Sequence, residues 1–242
     1  MMKRYPFNMI STLVTVYMIF LGIFLGVKYL GGSSIAMGDT LEGIIVGYSL
    51  WTVAIFAFSD LSWDLTNEAQ MGTLEQMYLT PAGFAWAQAG YLIGDLVFFS
   101  IFQVAMIVLM MLTTHRFLHF DLVSILPILL FSLAPAYGVG FAVGGLALVY
   151  KRIQAFFQIM QFVLLGFLVV PVSRLPWARF LPMTEGNALL REVMAHGKSL
   201  LQLPAADLLI LAVTGVVYLG LGLLAFSWAE RVARRKGLLG QY

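Results

Sequence analysis

The sequence predicts an all-α integral membrane protein with six transmembrane helices. Apolar residues make up 61% of the 242 residues and charged residues only 11%, whereas about a quarter of the residues in a soluble domain are charged. The apolar residues form long continuous runs, close to the roughly 20 residues that a helix needs to cross the hydrocarbon core. This composition excludes a water-soluble domain, and the lack of alternation within the runs excludes a transmembrane β-barrel.

The runs divide a single transmembrane domain, residues 1–242, into six spans joined by mostly short connections. A polar stretch, residues 64–83, separates the second span from the third, and short helices on the outer side are expected between the fifth and the sixth. The chain contains no cysteine, which excludes disulfides and thiolate chemistry. The predicted spans are residues 5–28, 41–63, 85–114, 122–150, 153–173 and 206–229.

The first span has some features of a secretory signal peptide, because Lys3 and Arg4 precede it. Its uncharged run over residues 5–27 is longer than the roughly 7–15 residues of a signal-peptide core. We therefore expect a retained first helix.

Basic residues set the expected orientation. Cytoplasmic loops carry an excess of Lys and Arg close to the span ends. Eight such residues fall on one side of a six-span arrangement and six on the other, and the eight lie closest to the spans. We expect both termini in the cytoplasm and the chain in the cell (inner) membrane. The eight are Lys3, Arg4, Lys151, Arg152, Arg231, Arg234, Arg235 and Lys236.

The stretch NEAQMGTLEQMYLTP, residues 67–81, is acidic on the side where basic residues are expected. Gly72 is suited to end one short helix, and Thr73 starts a capping box with Gln76 for a second. Pro81 disfavours helical angles at the residue before it and so closes the second helix. The pattern predicts two short helices meeting at residues 72–73, with an acidic face whose basic partners belong to another chain.

This stretch resembles the coupling helix of ABC exporter permeases of the second type, the family of drug-export and polysaccharide-export membrane subunits. The later stretch LVVPVSRLPWARFLPMTEGNALLREV, residues 168–193, is similar to the region between spans five and six of that family. The resemblance implies a permease that pairs with a second permease subunit, identical or not, and with two copies of an ATP-binding subunit. ATP and Mg would be held by those partners, with no cofactor in this chain. It implies that the coupling residues are Glu68, Gly72, Thr73, Leu74, Glu75 and Pro81.

Asp95 provides the main alternative. It lies about ten residues into the third predicted span, and an intramembrane carboxylate is a functional hypothesis by default. An ion-gradient-driven secondary transporter would use it as the titrating group, whereas a headgroup position would make it structural. A membrane scaffold without transport activity is a further alternative.

No catalytic arrangement emerges from the sequence, so we expect a transport subunit and not an enzyme. Residues 197–199, Gly-Lys-Ser, lack the glycine five positions earlier that a phosphate loop requires, and we expect a helix opened by Asn187 and closed by Gly197. His115 and His119 lack a convincing third ligand, and no metal site or nucleic-acid partner is expected. Contacts with membrane lipids are expected along the spans.

Pairs of glycines four residues apart allow two helix backbones to approach closely in lipid. We expect them to pack within the subunit, with a dimer or substrate-path role as the alternative. The pairs are Gly22/Gly26, Gly43/Gly47, Gly90/Gly94 and Gly140/Gly144.

Overall fold

The computed structural model describes residues 6–30, 37–71, 83–150, 154–169 and 175–235. These residues form seven α-helices and two short 3₁₀ turns, and the described ranges contain no strand. The 3₁₀ turns are Pro176–Phe180 and Leu200–Gln202. The helices are α1 (Pro6–Leu30), α2 (Met37–Met71), α3 (Gly83–Thr114), α4 (Leu122–Val149), α5 (Gln154–Val169), α6 (Thr184–Met194) and α7 (Ala205–Arg235).

Each of the six predicted spans overlaps one helix: α1, α2, α3, α4, α5 or α7. Within the described residues, four helices have stretches long and apolar enough to cross a membrane: Ile10–Tyr29, Leu41–Ser59, Leu122–Val149 and Ala205–Ala233. Two shorter apolar stretches lie in α3 and α5. The chain is therefore a helical protein with the character of a membrane protein, and the count of six spans stays a prediction.

Helix α2 is the centre of the bundle. It packs against α1, α3, α4, α5 and α6, and 61% of its apolar stretch is buried, against 11% for that of α1. Aromatic rings make several of these contacts: Phe56 stacks on Phe99 of α3, whereas Tyr48 packs at a tilt against Phe20 of α1 and Phe58 at a tilt against Phe157 of α5. A displacement of α2 would therefore disturb its packing against most of the other helices.

Helices α4 and α7 form the most extensive pair and run parallel. Glycines seven residues apart bring their backbones together: a Cβ on Gly222 would lie 2.0 Å from the carbonyl oxygen of Gly138. Gly145 and Gly215 repeat the close approach two turns away, where a Cβ would meet backbone atoms at 3.0 and 2.9 Å. Small residues at helix interfaces favour such packing, because lipid supplies no hydrophobic drive between helices.

Helix α6 covers one end of the bundle. The His119 N–H donates to the carbonyl of Met194, and the Leu200 N–H donates to the hydroxyl of Ser124. Contrary to the prediction, α6 begins at Thr184 and not at Asn187, after Met183 in a left-handed conformation. Gly197 follows the helix with a φ of +69°, as expected of a closing glycine.

Candidate functional site

The predicted coupling residues are only partly within the described chain. Glu68 lies in the last turn of α2, although its side chain is not described, and Gly72, Thr73, Leu74, Glu75 and Pro81 lie outside the described residues. The prediction of a separate short helix before Gly72 is wrong, because residues 64–71 continue α2 without a break. The acidic segment thus starts on the same helix that forms the centre of the bundle.

The length of α2 places its two ends far apart. Its 35 residues span roughly 50 Å, well beyond the roughly 30 Å of a hydrocarbon core. The uncharged run within α2 ends at Ser59, before Asp60, and three further turns of helix follow. Positions 60, 64 and 68, all acidic, follow one another at intervals of four along this projection, which places them on one side of the helix.

Asp95 lies in α3, and its side chain is not among those that the structure describes. The position is 19 residues before the end of the helix at Thr114, or about 28 Å along the axis. Its proposed titrating role stays a prediction.

An apolar pocket of about 120 Å³ lies between α2, α3 and α4. Each of the three helices contributes residues at positions i, i+3, i+4 and i+7, which is the spacing of one helix face. Leu190 and Met194 of α6 add to the lining, together with Phe120 from the connection between α3 and α4. The three helix stripes are Val46, Ser49, Leu50 and Val53; Ser100, Gln103, Val104 and Ile107; and Leu122, Ile125, Leu126 and Leu129.

The pocket exists because α3 and α4 both pack against α2, whereas direct contact between α3 and α4 is slight in the described residues. Exposed apolar residues surround its opening, among them Val104, Leu122 and Leu126, which are 52%, 60% and 59% exposed. The opening therefore faces the apolar surface of the bundle.

Gln103 is the most polar side chain in the pocket. It is 7% exposed, and neither its amide oxygen nor its amide nitrogen has a hydrogen-bond partner in the described part of the chain. Gln103 is not among the residues that the sequence predicted to be functional, because it carries no charge of the kind that marks Asp95. The sequence does distinguish this residue, because Gln103 is the one amide in the apolar run over residues 99–112.

A second polar group lies where α6 meets α2. A Cβ on Gly43 would lie 3.2 Å from the guanidinium of Arg191, and one on Gly47 would lie 3.3 Å from the amide oxygen of Asn187. The Gly43/Gly47 pair thus makes room for polar side chains and not for a second backbone. Glu42, next in the chain, lies 3.9 Å from Arg116.

A third cluster of polar side chains, around Arg179, lies at the same end of the bundle. Its guanidinium donates to Asp207 at 2.8 Å and lies 3.9 Å from Glu185. Glu185 is 3% exposed. Burial raises the pKa of Glu185, and the Arg179 charge opposes this only in part.

Two of the other predicted glycine pairs do not show the expected packing within the subunit, and the surroundings of Gly140/Gly144 do not test the expectation. Added Cβ atoms on Gly22, Gly26, Gly90 and Gly94 would meet nothing within 4 Å among the described atoms. Among the glycines whose surroundings are described, Gly138, Gly145, Gly215 and Gly222 make the close backbone contacts, and they are spaced seven residues apart and not four.

The described residues contain no group of three His, Asp or Glu side chains that could hold a metal ion. No protein-family model matches the sequence, and no curated protein or solved structure matches it either. What the structure itself establishes is an all-helical chain, in the ranges described, with four helices suited to cross a membrane.

Proposed function

We propose that the chain is the transmembrane permease subunit of an ATP-driven exporter of the second ABC type. It would move an amphipathic, lipid-like or drug-like molecule across the cell membrane, with both termini in the cytoplasm. Energy would come from two copies of a separate ATP-binding subunit, and a second permease subunit would complete the transport path. The proposal rests on the resemblance of residues 67–81 to a coupling helix and on the course of α2.

The continuity of α2 carries the argument. The same helix forms one wall of the pocket at Val46, Leu50 and Val53 and ends its described part at Met71. Position 71 lies 18 residues beyond Val53, or about 27 Å along the axis. An unbroken helix transmits a push or a tilt along its length, because its backbone hydrogen bonds keep it stiff. Motion applied near residue 71 would therefore reach the pocket.

The charge on the projecting part of α2 favours a protein partner. Asp60, Asp64 and Glu68 follow at intervals of four, and no basic residue occurs between Lys28 and Arg116. Complementary charge steers association and selects the partner. A basic groove on an ATP-binding subunit is the partner that this charge and the family resemblance both favour.

Charge reversal tests the proposal. Tagged chain is purified from native membranes in mild detergent, and the ATP hydrolysis that co-purifies is measured alongside the protein composition. We expect an ATP-binding subunit to accompany the wild-type chain and to be lost from Glu68→Lys/Glu75→Lys. Glu192→Lys, at the opposite end of the bundle in α6, is the control that changes charge without approaching the coupling segment.

The proposal fails if no ATP-binding subunit co-purifies with the wild-type chain, or if the double reversal retains it in full. Equal thermal unfolding of the reversed and wild-type chains is required for the loss to count as lost contact.

The orientation is tested separately by single-cysteine labelling, since the chain contains no native cysteine. We expect an impermeant maleimide to label Lys198→Cys in intact cells and Glu75→Cys only after the membrane is opened. Labelling of Glu75→Cys in intact cells would place the acidic segment outside and remove the coupling role.

A further inference from the structure

The buried amide of Gln103 differs from three hydroxyl groups inside the bundle. Thr52, Ser132 and Thr214 each donate to the carbonyl four residues earlier in their own helix, at 2.6 to 2.8 Å. Their polar groups are thus satisfied without a partner from another helix. Gln103 makes no such bond within the described chain.

Gln161 of α5 provides the closest comparison. Its amide nitrogen donates to the hydroxyl of Ser59 at 3.0 Å, so this glutamine joins α5 to α2. Leaving a buried amide without partners costs free energy comparable to a lost hydrogen bond. An unpartnered amide lining a cavity therefore indicates a group that binds there from outside the chain.

The cavity is large enough for such a group. Its volume of about 120 Å³ is well above the roughly 10–15 Å³ that a single water needs, and it approaches the about 150 Å³ of a cavity that accepts benzene. Among the described lining residues, Ser49 and Ser100 are the only polar ones besides Gln103, and the Ser49 hydroxyl lies 4.0 Å from the sulfur of Met110. Most of the wall offers water no hydrogen bond.

The chemistry of the lining defines the ligand. None of the lining residues that the structure describes is ionisable, so a charged group would enter without a counterion from them, at a large desolvation cost. An amide presents both a donor and an acceptor and so matches an uncharged group that has both. The apolar opening at Val104, Leu122 and Leu126 suits a hydrocarbon chain.

We infer that the pocket between α2, α3 and α4 binds an uncharged amphipathic molecule, whose hydroxyl or amide group hydrogen-bonds to Gln103 and whose hydrocarbon part lies in the opening. The ligand enters from the apolar surface of the bundle. The inference goes beyond the proposed function and does not depend on it, because binding requires no ATP-binding subunit.

Photolabelling tests the inference. The full chain is placed in lipid nanodiscs and irradiated with a decanol that carries a diazirine, or with the corresponding diazirine alkane that lacks the hydroxyl. Adducts are located by peptide mass spectrometry. For the wild type we expect the alcohol to label residues 100–107 or 122–129 and unlabelled 1-decanol to compete.

Two glutamine substitutions provide the decisive comparison. Gln103→Leu is expected to lower the alcohol adduct about tenfold, the effect of one lost buried hydrogen bond, without lowering the alkane adduct. Gln161→Leu removes an amide outside the pocket and is expected to leave both adducts unchanged. Gln103→Met, which keeps the length of the side chain, replaces Gln103→Leu if the latter fails to fold.

The inference is overturned if the alcohol and the alkane label the wild-type pocket equally. Equal labelling would mean that the pocket accepts any hydrocarbon chain, such as a lipid tail. The inference is also overturned if alcohol labelling is unchanged in the folded Gln103 variant, whether Gln103→Leu or Gln103→Met. Neither result bears on the co-purification of an ATP-binding subunit, so failure here and failure of the proposed function are distinguishable.

Discussion

Helix α4 has two faces that are packed in opposite ways. On one side, the parallel contact with α7 is so close that backbone meets backbone at Gly138 and Gly222. On the other, α4 and α3 stand apart and leave the pocket with the unpartnered amide of Gln103. A dry, tightly packed pair resists movement, whereas a loosely filled cleft has room for a ligand. We therefore interpret the α4–α7 pair as a fixed frame and the α2–α3–α4 cleft as its adaptable part.

The largest effect is expected from breaking the fixed frame. In Gly222→Ala, the new Cβ would lie 2.0 Å from the Gly138 carbonyl oxygen, and neither backbone can yield without separating the helices. We expect a loss of at least about 3 kcal/mol in the free energy of unfolding, measured in detergent. Gly220→Ala is the control in the same helix, since its Cβ would meet nothing within 4 Å. Similar stability of the two variants would refute the fixed frame.

A smaller effect is expected where a glycine faces a flexible side chain. In Gly43→Ala the nearest atoms belong to the end of Arg191, and in Gly47→Ala they belong to Asn187. These side chains can shift by a few tenths of an ångström, so we expect a cost of about 1 kcal/mol for each change. Thermal unfolding measures it, with Gly26→Ala as the unobstructed control. A cost as large as that of Gly222→Ala would mean that the α2–α6 contact is equally rigid.

Gln161 and Gln103 provide a further comparison, because replacing each by Leu should change the free energy of unfolding differently. Gln161→Leu removes the bond to Ser59 and is expected to lower the free energy of unfolding by about 1 kcal/mol. Gln103→Leu removes a buried amide without a partner in the described chain, so we expect the variant, free of ligand, to be at least as stable as the wild type. Urea or thermal unfolding of both variants measures the difference, and equal destabilisation would contradict the account of Gln103.

The positions of the helices followed from the sequence, whereas their contacts did not. Continuous apolar runs locate membrane-spanning helices well, because backbone groups in lipid have to be bonded within the helix. The sequence predicted that the second span ends at residue 63 and that a separate short helix precedes Gly72, whereas α2 continues to Met71. A helix continues into water at little cost when its residues are polar. A local motif also carries no information about which helices pack together. The pattern of glycines four residues apart therefore did not predict the contact between Gly138 and Gly222.

The candidate site was even less accessible from the sequence. Three helices have to be placed side by side before Val46, Gln103 and Ile125 are seen to share one cavity. The coupling residues remain a prediction from the sequence, and five of the six lie outside the described residues. Sequence and structure thus contribute different parts of one transport hypothesis: the segment that would receive force, and the pocket that would respond to it.

The smallest expected effects concern two glutamates of α6, which should respond to pH in opposite directions. Burial raises the pKa of Glu185 above its ordinary 4.5, so the folded state favours its proton and this contribution to stability is lost as pH rises through the raised pKa. The hydrogen bond from Lys198 lowers the pKa of Glu192, so its contribution is present above 4.5 and is lost as pH falls through the lowered pKa.

Glu185→Gln should therefore gain stability relative to the wild type as pH rises. Glu192→Gln should lose only a few tenths of a kcal/mol above pH 4.5, because the Glu192 side chain is 38% exposed and water screens its pair with Lys198. That deficit should vanish at lower pH. Melting temperatures of the wild type and both variants between about pH 3 and 8 measure the two slopes. Parallel slopes would show that Glu185 is as well hydrated as Glu192, and that the end of the bundle next to the pocket is open to water.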